Sequence, residues 1–342
     1  MGILTIDKAR KIKESARLNA NQRSMLRDIE SGSCDMKIGA LREALGSDVF
    51  DAINLDASHN SVQAGYGSVP DHWRKLCVVK STRDFKSVNV SSLAGFAPPP
   101  EVPQNSLYPE AVLSDQKITY PIKKYGDILR LSLEAMMNDE MGAFQQNAFG
   151  RGKAFATGLN EFVIGTNFDD SPTFEVTGNT LWGGTGHNNK NTSSALSLAT
   201  VETAIAKLMA QTGRAGEQIY LYPKYIVCSP SLMMQANDIV RSQTKVSGVT
   251  TTGGLAAGNT IASLGLEVIV SPHINGTATT WYLLSGPMIE MSFVDGKTEP
   301  EVFIEPDNTG TAFSMDATSV KMRMCYGGEV FDFRQGVQST VA

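Results

Sequence analysis

Five prolines fall between Pro98 and Pro109, and they lie between two stretches of alternating polarity. Each lacks a backbone N–H and holds φ near one value, so this part of the chain suits neither a helix interior nor a central strand. Before it, Val88 and Val90 alternate with polar neighbours; after it, Ile118, Tyr120 and Ile122 do the same. That alternation predicts strands with one buried face. Pro121 within the second run marks it as an edge strand. The pattern over residues 84–130 is strand, long excursion, returning strand. A structureless loop of this length is disfavoured inside a compact body. It makes sense where the loop leaves its own subunit and is held by a neighbour.

The clearest helical stretch follows. Met137, Met141, Phe144 and Ala148, then Phe155, Leu159 and Phe162, recur at helical spacing and make one apolar stripe. Asn138 or Asp139 suits the N-cap. From Asp139 to Thr166 the rod would be roughly 40 Å long at about 1.5 Å per residue. Gly142, Gly150, Gly152 and Gly158 weaken it, so it needs tertiary packing.

Beyond a Gly/Asn/Thr-rich loop at 168–194, helix and strand alternate. A helix from about Ser197 to Gln211 carries Val201, Ile205, Leu208 and Met209 on one face. Tyr225–Cys228 reads as an apolar strand. Ser229-Pro230 then opens a helix whose buried face is Leu232, Met233, Ala236, Ile239 and Val240. Glu267–Val270 and Trp281–Leu284 are further strands. Near the end, Val320, Met322, Met324 and Tyr326 alternate with Lys321, Arg323 and Cys325. The fold class is α+β. Residues 1–55 are polar with a weak helical period and read as an arm of short helices.

Composition narrows the function classes. The chain has 342 residues, net charge -5 and 42% hydrophobic residues, which is globular and mildly acidic. A dedicated nucleic-acid binder usually carries a basic excess. Cys34, Cys77, Cys228 and Cys325 are scattered, which fits packing roles in a reducing compartment better than a disulfide framework. The first residues contain no long apolar run, so the expectation is a soluble protein without a secretory signal, made and used in a cytoplasm.

Catalytic and cofactor chemistry finds little support. Gly253, Gly258, Asn259 and Thr260 resemble a phosphate loop, but Asn259 stands where a lysine is needed. His59, His72, His187 and His273 are far apart and suit isolated turn positions better than a metal site. Cys228 lies in an apolar strand and reads as packing. The expectation is no enzyme, no cofactor and no metal.

Several segments together resemble major capsid proteins of tailed bacteriophages, in particular the Mu-like major head subunits. They are Asp84-Phe85-Lys86; ITYPIKKYGDILRLSLEAMMNDEMGAF; the helix through Phe155 and Glu161 to Asn167; YLYPKYIVCSPSLMMQANDIV; LGLEVIVSPHING followed by TWYLLSGP; Met291 through Gly296 and Pro300; and KMRMCYGGEVFDFRQG. The likeness spans roughly residues 60–336 and rests on the order of these segments. Residues 1–55 have no counterpart, and the protease fused to some such subunits is absent, so processing would come from another chain.

The resemblance implies the Hong Kong 97-type capsid fold. Its parts would be an N-terminal arm at 1–83, an extended loop at 84–130, a peripheral domain with the spine helix at 131–211, an axial domain at 212–300, and C-terminal strands at 301–342 returning to the peripheral domain. The implied function is self-assembly into hexamers and pentamers of an icosahedral shell around double-stranded phage DNA. Portal, scaffold or protease, and cement proteins are further implied partners. DNA would be contacted by non-specific proximity, and no membrane is involved. The implied location is the virion, assembled in the bacterial host cytoplasm. The contact residues would be Phe96, Val102, Leu107 and Tyr108 on the extended loop. Lys117, Lys123 and Lys124 would pair with carboxylates across the seam. Trp73 would anchor the arm, on the body or on a neighbouring chain. Competing readings are a nucleotide-dependent or hydride-transfer α/β enzyme, which lacks a glycine fingerprint after a strand, and a surface-layer, adhesin or encapsulin-like shell protein.

Overall fold

The computed structural model describes residues 59–93, 99, 101–108, 110, 115–132, 141–169, 172–183, 186–192, 194–213, 216–243, 259–274, 279–305, 310–315 and 317–341. The expected arm of short helices at 1–55 and the N-cap at Asn138 or Asp139 lie outside them. The chain divides into two compact units. One takes the described part of Met1–Pro70 with Lys124–Thr157 and Lys297–Cys325; the other takes Asp71–Lys123, Gly158–Gly296 and Tyr326–Ala342.

In the second unit, one five-stranded sheet is made of β5 (Lys190–Asn191), β6 (Tyr225–Cys228), β7 (Glu267–Val270), β8 (Trp281–Leu284) and β12 (Gly336–Ser339), in the order β5-β12-β8-β6-β7. Its strands β6 and β8 are buried along their whole length, as apolar strands covered on both faces are. Ile226, Cys228, Trp281, Leu283 and Val337 meet Val201, Ala204 and Leu208 of α4 (Leu198–Met209) and Ala236, Ile239 and Val240 of α5 (Met233–Arg241). On the other face, Tyr282 packs against Phe168 with ring centroids 4.4 Å apart and against Trp182 at 5.3 Å. The Trp182 indole N–H donates to the Phe168 carbonyl at 2.6 Å. Ser197 and Thr200 form a capping box at the start of α4.

Several residues of this unit sit differently from what sequence spacing predicts. Met209, assigned to the buried stripe of α4, is 47% exposed, because Val201, Ala204 and Leu208 already fill the inward arc. Met233 is 45% exposed for the same reason on α5. His187 is buried, with its ring stacked on Phe333 at 3.9 Å and its nitrogens against the Thr177 hydroxyl and the Leu181 carbonyl. The last strand, β12, joins this sheet beside β8. Asn259 is likewise buried: its amide donates to the carbonyls of Ile239 and Ser242, closing the end of α5. The glycines preceding it lie outside the described residues.

The same unit holds α2 (His72–Leu76) and β1 (Cys77–Thr82), which runs parallel to β9 (Ile289–Val294). Residues 326–330 of β11 (Ala317–Val330) pair antiparallel with β9 on its other side. Residues 72–82, read from the sequence as the end of the arm, are therefore part of a folded sheet. Burial raises the Cys77 thiol well above its ordinary pKa and that of Cys228 to about 11.

In the first unit, β10 (Glu301–Ile304) pairs antiparallel with residues 320–323 of β11, and β4 (Lys123–Ser132) also pairs with β11. Its core is Val62, Ala148, Val320 and Met322, with Leu129, Phe155, Val302 and Ile304 against it. The helix α3 (Met141–Asn160) continues as a π-type helix over Glu161–Asp169, where Val163, Ile164, Gly165, Asn167 and Phe168 are buried. Helix therefore runs through the described part of the predicted stretch, with a change of winding at Glu161, and from Gly158 on the chain belongs to the second unit. Helical residues 59–67, designated α1, cross α3 at two glycines. A Cβ on Gly65 would overlap the Phe149 carbonyl, and one on Gly152 would overlap the Val62 carbonyl.

That crossing makes opposite predictions for neighbouring glycines. Gly152→Ala forces the backbones apart and should cost roughly 1–3 kcal/mol. Gly150 faces open space, so Gly150→Ala should stabilise the helix by about 0.5–1 kcal/mol. Thermal unfolding midpoints check both, and equal shifts of one sign would contradict the crossing.

Candidate inter-subunit surface

The excursion begins and ends in a two-stranded ladder. β2 (Val88–Leu93) pairs antiparallel with β3 (Asp115–Tyr120), from Val88 opposite Tyr120 to Leu93 opposite Asp115. Its root is fixed on one side only, as the alternation requires: Val90, Ile118, Tyr120 and Ile122 are buried. The Tyr120 hydroxyl donates to Glu290 at 3.2 Å and shares a 2.8 Å hydrogen bond with Ser292. Burial, with the Glu290 carboxylate beside it, pushes the phenol well above its usual pKa. On the outer side, the Thr119 amide donates to Glu175 at 2.8 Å and the Thr119 hydroxyl to Asn89 at 3.0 Å.

Far from the root, the Ser106 amide donates to the Pro103 carbonyl at 3.1 Å, and Asn105 takes φ 68°. That is a four-residue turn with a left-handed third position, which asparagine tolerates. Leu107 and Tyr108 follow directly and are 93% and 84% exposed. Side chains of this size are seldom left so open without a partner. Val102 is half-buried, and Phe96 lies outside the described residues. Lys117, Lys123 and Lys124 are all exposed. Among the described loop residues, Leu107 and Tyr108 are the large apolar side chains left open.

Trp73 is placed differently from the loop residues. It is 1% exposed, packs on Phe293 at 5.5 Å, and carries the Arg74 guanidinium over its ring. The Trp73 amide donates to Asn160 at 3.2 Å. Of the two surroundings weighed for it, the structure records the body of its own unit.

A model of the phage capsid protein family matches residues 115–339, from β3 to β12. The chain belongs to that family. The capsid protein shares its fold with solved particle proteins at low identity. A structure titled as the capsid of a native GTA particle matches with TM-score 0.52 at 16% identity, over 80% of this chain and 92% of that one. One from Microbacterium phage Oxtober96 matches with TM-score 0.52 at 8% identity, again over 80% and 92%. One from Gordonia phage Cozz matches with TM-score 0.50 at 12% identity, over 82% and 87%. The fold is the Hong Kong 97 type. No curated protein matches the sequence. Among the described residues, no group of three or more His, Cys, Asp or Glu is placed to hold a metal ion, and no helix is long and apolar enough to cross a membrane.

Two features of the capsid protein escaped the sequence reading. Glu290, only 4% exposed, meets the Lys80 ammonium at 2.6 Å. It also stands directly opposite Glu329 across the β9–β11 ladder. The other is an open, basic sheet face in the first unit. Its signal, the alternation of Lys321 and Arg323 with apolar residues, was visible, but alternation does not say what the outward side meets.

Glu329 makes stability depend on pH. Burial, with Glu175 nearby, holds its carboxyl above the ordinary value of 4.5, while the Val330 amide opposes the shift. A raised carboxyl favours the neutral form, so its contribution is present in acid and lost as pH rises from 4.5 through the folded-state value. Glu329→Gln should therefore raise the unfolding midpoint at pH 7 and remove that part of the decline between acid and neutral pH. An unchanged pH profile by calorimetry would count against this assignment.

Proposed function

We propose that this capsid protein assembles into hexameric and pentameric capsomers of an icosahedral shell around double-stranded phage DNA. The proline-rich hairpin is the piece that crosses to an adjacent subunit. The observation that carries this reading is the exposure of Leu107 and Tyr108, at 93% and 84%, on a loop whose root is buried. Burying such side chains contributes about 1.5–3 kcal/mol each. Phe96, Val102, Leu107 and Tyr108 are the apolar anchors, and Lys117, Lys123 and Lys124 meet carboxylates of a neighbour. Repeated in a closed ring of heterologous contacts, this adds area without enlarging any single core. Permanent interfaces of this kind bury more than about 2,000 Å².

The role is structural, not catalytic, and belongs to the virion, with assembly in the host cytoplasm. Portal, scaffold or protease, and cement proteins are the other partners such a role brings. In this reading residues 84–130 are the extended loop, the segment before Trp73 is the arm, and the helix through Phe155 and Leu159 is the spine.

Removing residues 98–112 tests the crossing. The shortened chain should stay folded and soluble, with its unfolding midpoint close to that of the intact chain, and should form no closed particles by sedimentation and negative-stain microscopy. Normal particles from the shortened chain would overturn the reading.

A further inference from the structure

The strand that returns from the proline-rich loop is fastened to its unit by two carboxylates. On the solvent side, Glu175 accepts from the Thr119 amide at 2.8 Å. That N–H lies on the outer edge of β3, whose sheet has no strand beyond it. An unpaired edge N–H is an open position, and a carboxylate fills it strongly. On the buried side, Glu290 accepts from the Tyr120 hydroxyl at 3.2 Å. Two consecutive residues of β3 are thus held by two different carboxylates.

Glu175 reaches β3 from an anchored base. Phe174, just before it, is buried, with its ring edge-on to His187 and Phe333 at 5.8 and 5.5 Å. The Phe174 amide donates to the Asn179 carbonyl at 2.8 Å, and the Gly178 amide to the Phe174 carbonyl at 2.9 Å.

A third carboxyl, Glu329, joins these two. It stands directly opposite Glu290 in the β9–β11 ladder, so both side chains leave the sheet on one face. Glu175 also acts on it electrostatically. Its one hydrogen bond among the described residues is a long one, 3.4 Å from the Val330 amide. Among the described residues a single cation, Lys80, is paired with the group, 2.6 Å from Glu290. The Tyr120 phenol stays neutral and adds no charge. With Glu329 neutral, two negative charges face one positive; with Glu329 ionised, three face one in a partly dry place.

We propose that Glu329 is a proton-operated control on the fastening of β3. Neutral, it leaves Glu175 on the Thr119 amide and Glu290 on the Tyr120 hydroxyl. Ionised, it repels both carboxylates. Glu290 stays, because Lys80 and Tyr120 hold it. Glu175, the exposed one, gives way and frees the Thr119 edge of the hairpin root. The coupling is reciprocal. Glu175 opposes the ionisation of Glu329 and helps to hold that carboxyl above its ordinary value, so ionised Glu329 opposes the Glu175 bond to the same extent. The fastening is tight while Glu329 is neutral and loosens as pH rises from 4.5 through the folded-state value. The inference concerns the root alone and stands whether or not the loop crosses to a neighbour.

Residue-resolved hydrogen exchange on the full chain tests it, with protection corrected for the intrinsic pH dependence of exchange. At low salt, Thr119 protection in the parent should fall about threefold between mildly acidic and neutral pH, the order expected for like charges partly screened by solvent. Added salt should shrink the fall. Glu329→Gln should carry the acid-pH protection unchanged to neutral pH. Glu175→Gln keeps an acceptor for the amide without the charge. There the fall at Thr119 should vanish, while the decline of the unfolding midpoint, which burial of Glu329 chiefly causes, persists. A purely structural Glu329 would move the midpoint and leave the Thr119 profile alone. Thr119 protection that does not fall in the parent overturns the control, as does a fall that survives in either variant. Because Glu175 is exposed, its variant keeps the test decisive even where Glu329→Gln folds poorly. Thr119 exchanging only as slowly as Val227 in the buried strand β6 also overturns it, since the root would then never open by itself.

Discussion

A backbone without donors cannot be completed by its own sheet. Pro98, Pro99, Pro100, Pro103 and Pro109 carry no N–H, so the excursion between β2 and β3 has no ladder to extend and no helix to enter. It has to stay in contact with water or with another surface. What the fold supplies is a rigid root. Ile118 and Tyr120 are held in the unit's interior, and the Tyr120 hydroxyl is tied to Glu290 and Ser292. Farther out, a turn at Asn105 leads directly into Leu107 and Tyr108.

The buried carboxylate at that root makes the arrangement conditional. Glu290 is accommodated because Lys80 and Tyr120 supply a cation and a donor, as a buried charge requires. Glu329, its cross-strand neighbour, has no comparable cation among the described residues, and burial pushes it toward its neutral form. The sheet that anchors the hairpin therefore combines one well-paired carboxylate with one poorly accommodated one.

Much of this was legible in the residues. Period-two alternation gave β2, β3 and the outer and inner sides of β11. Helical spacing gave α3 and α4, and unbroken apolar runs gave β6 and β8 as strands covered on both faces. The misplacements have simple causes. Apolarity alone places Met209 and Met233 inward, but the inward arcs of α4 and α5 are filled by Val201, Ala204 and Leu208 and by Ala236, Ile239 and Val240. Local sequence makes His187 a turn residue, because nothing nearby announces the Phe333 ring it stacks on, far along the chain. The sequence likeness to phage head subunits pointed to the family that the match over residues 115–339 establishes.

Local periodicity and the absence of donors are written in the chain itself, so the sequence alone determined the element types, the unsupported loop and the existence of two unlike faces on β11. Contacts between distant segments are not periodic, so only the tertiary structure decided what each face meets. It placed β12 beside β8, set Gly65 and Gly152 at a backbone crossing, seated Trp73 on Phe293, and left Phe303 and Ile128 open among cations. A pattern of alternation says that one side of a strand is buried. Which side stays open toward another molecule depends on packing across hundreds of residues.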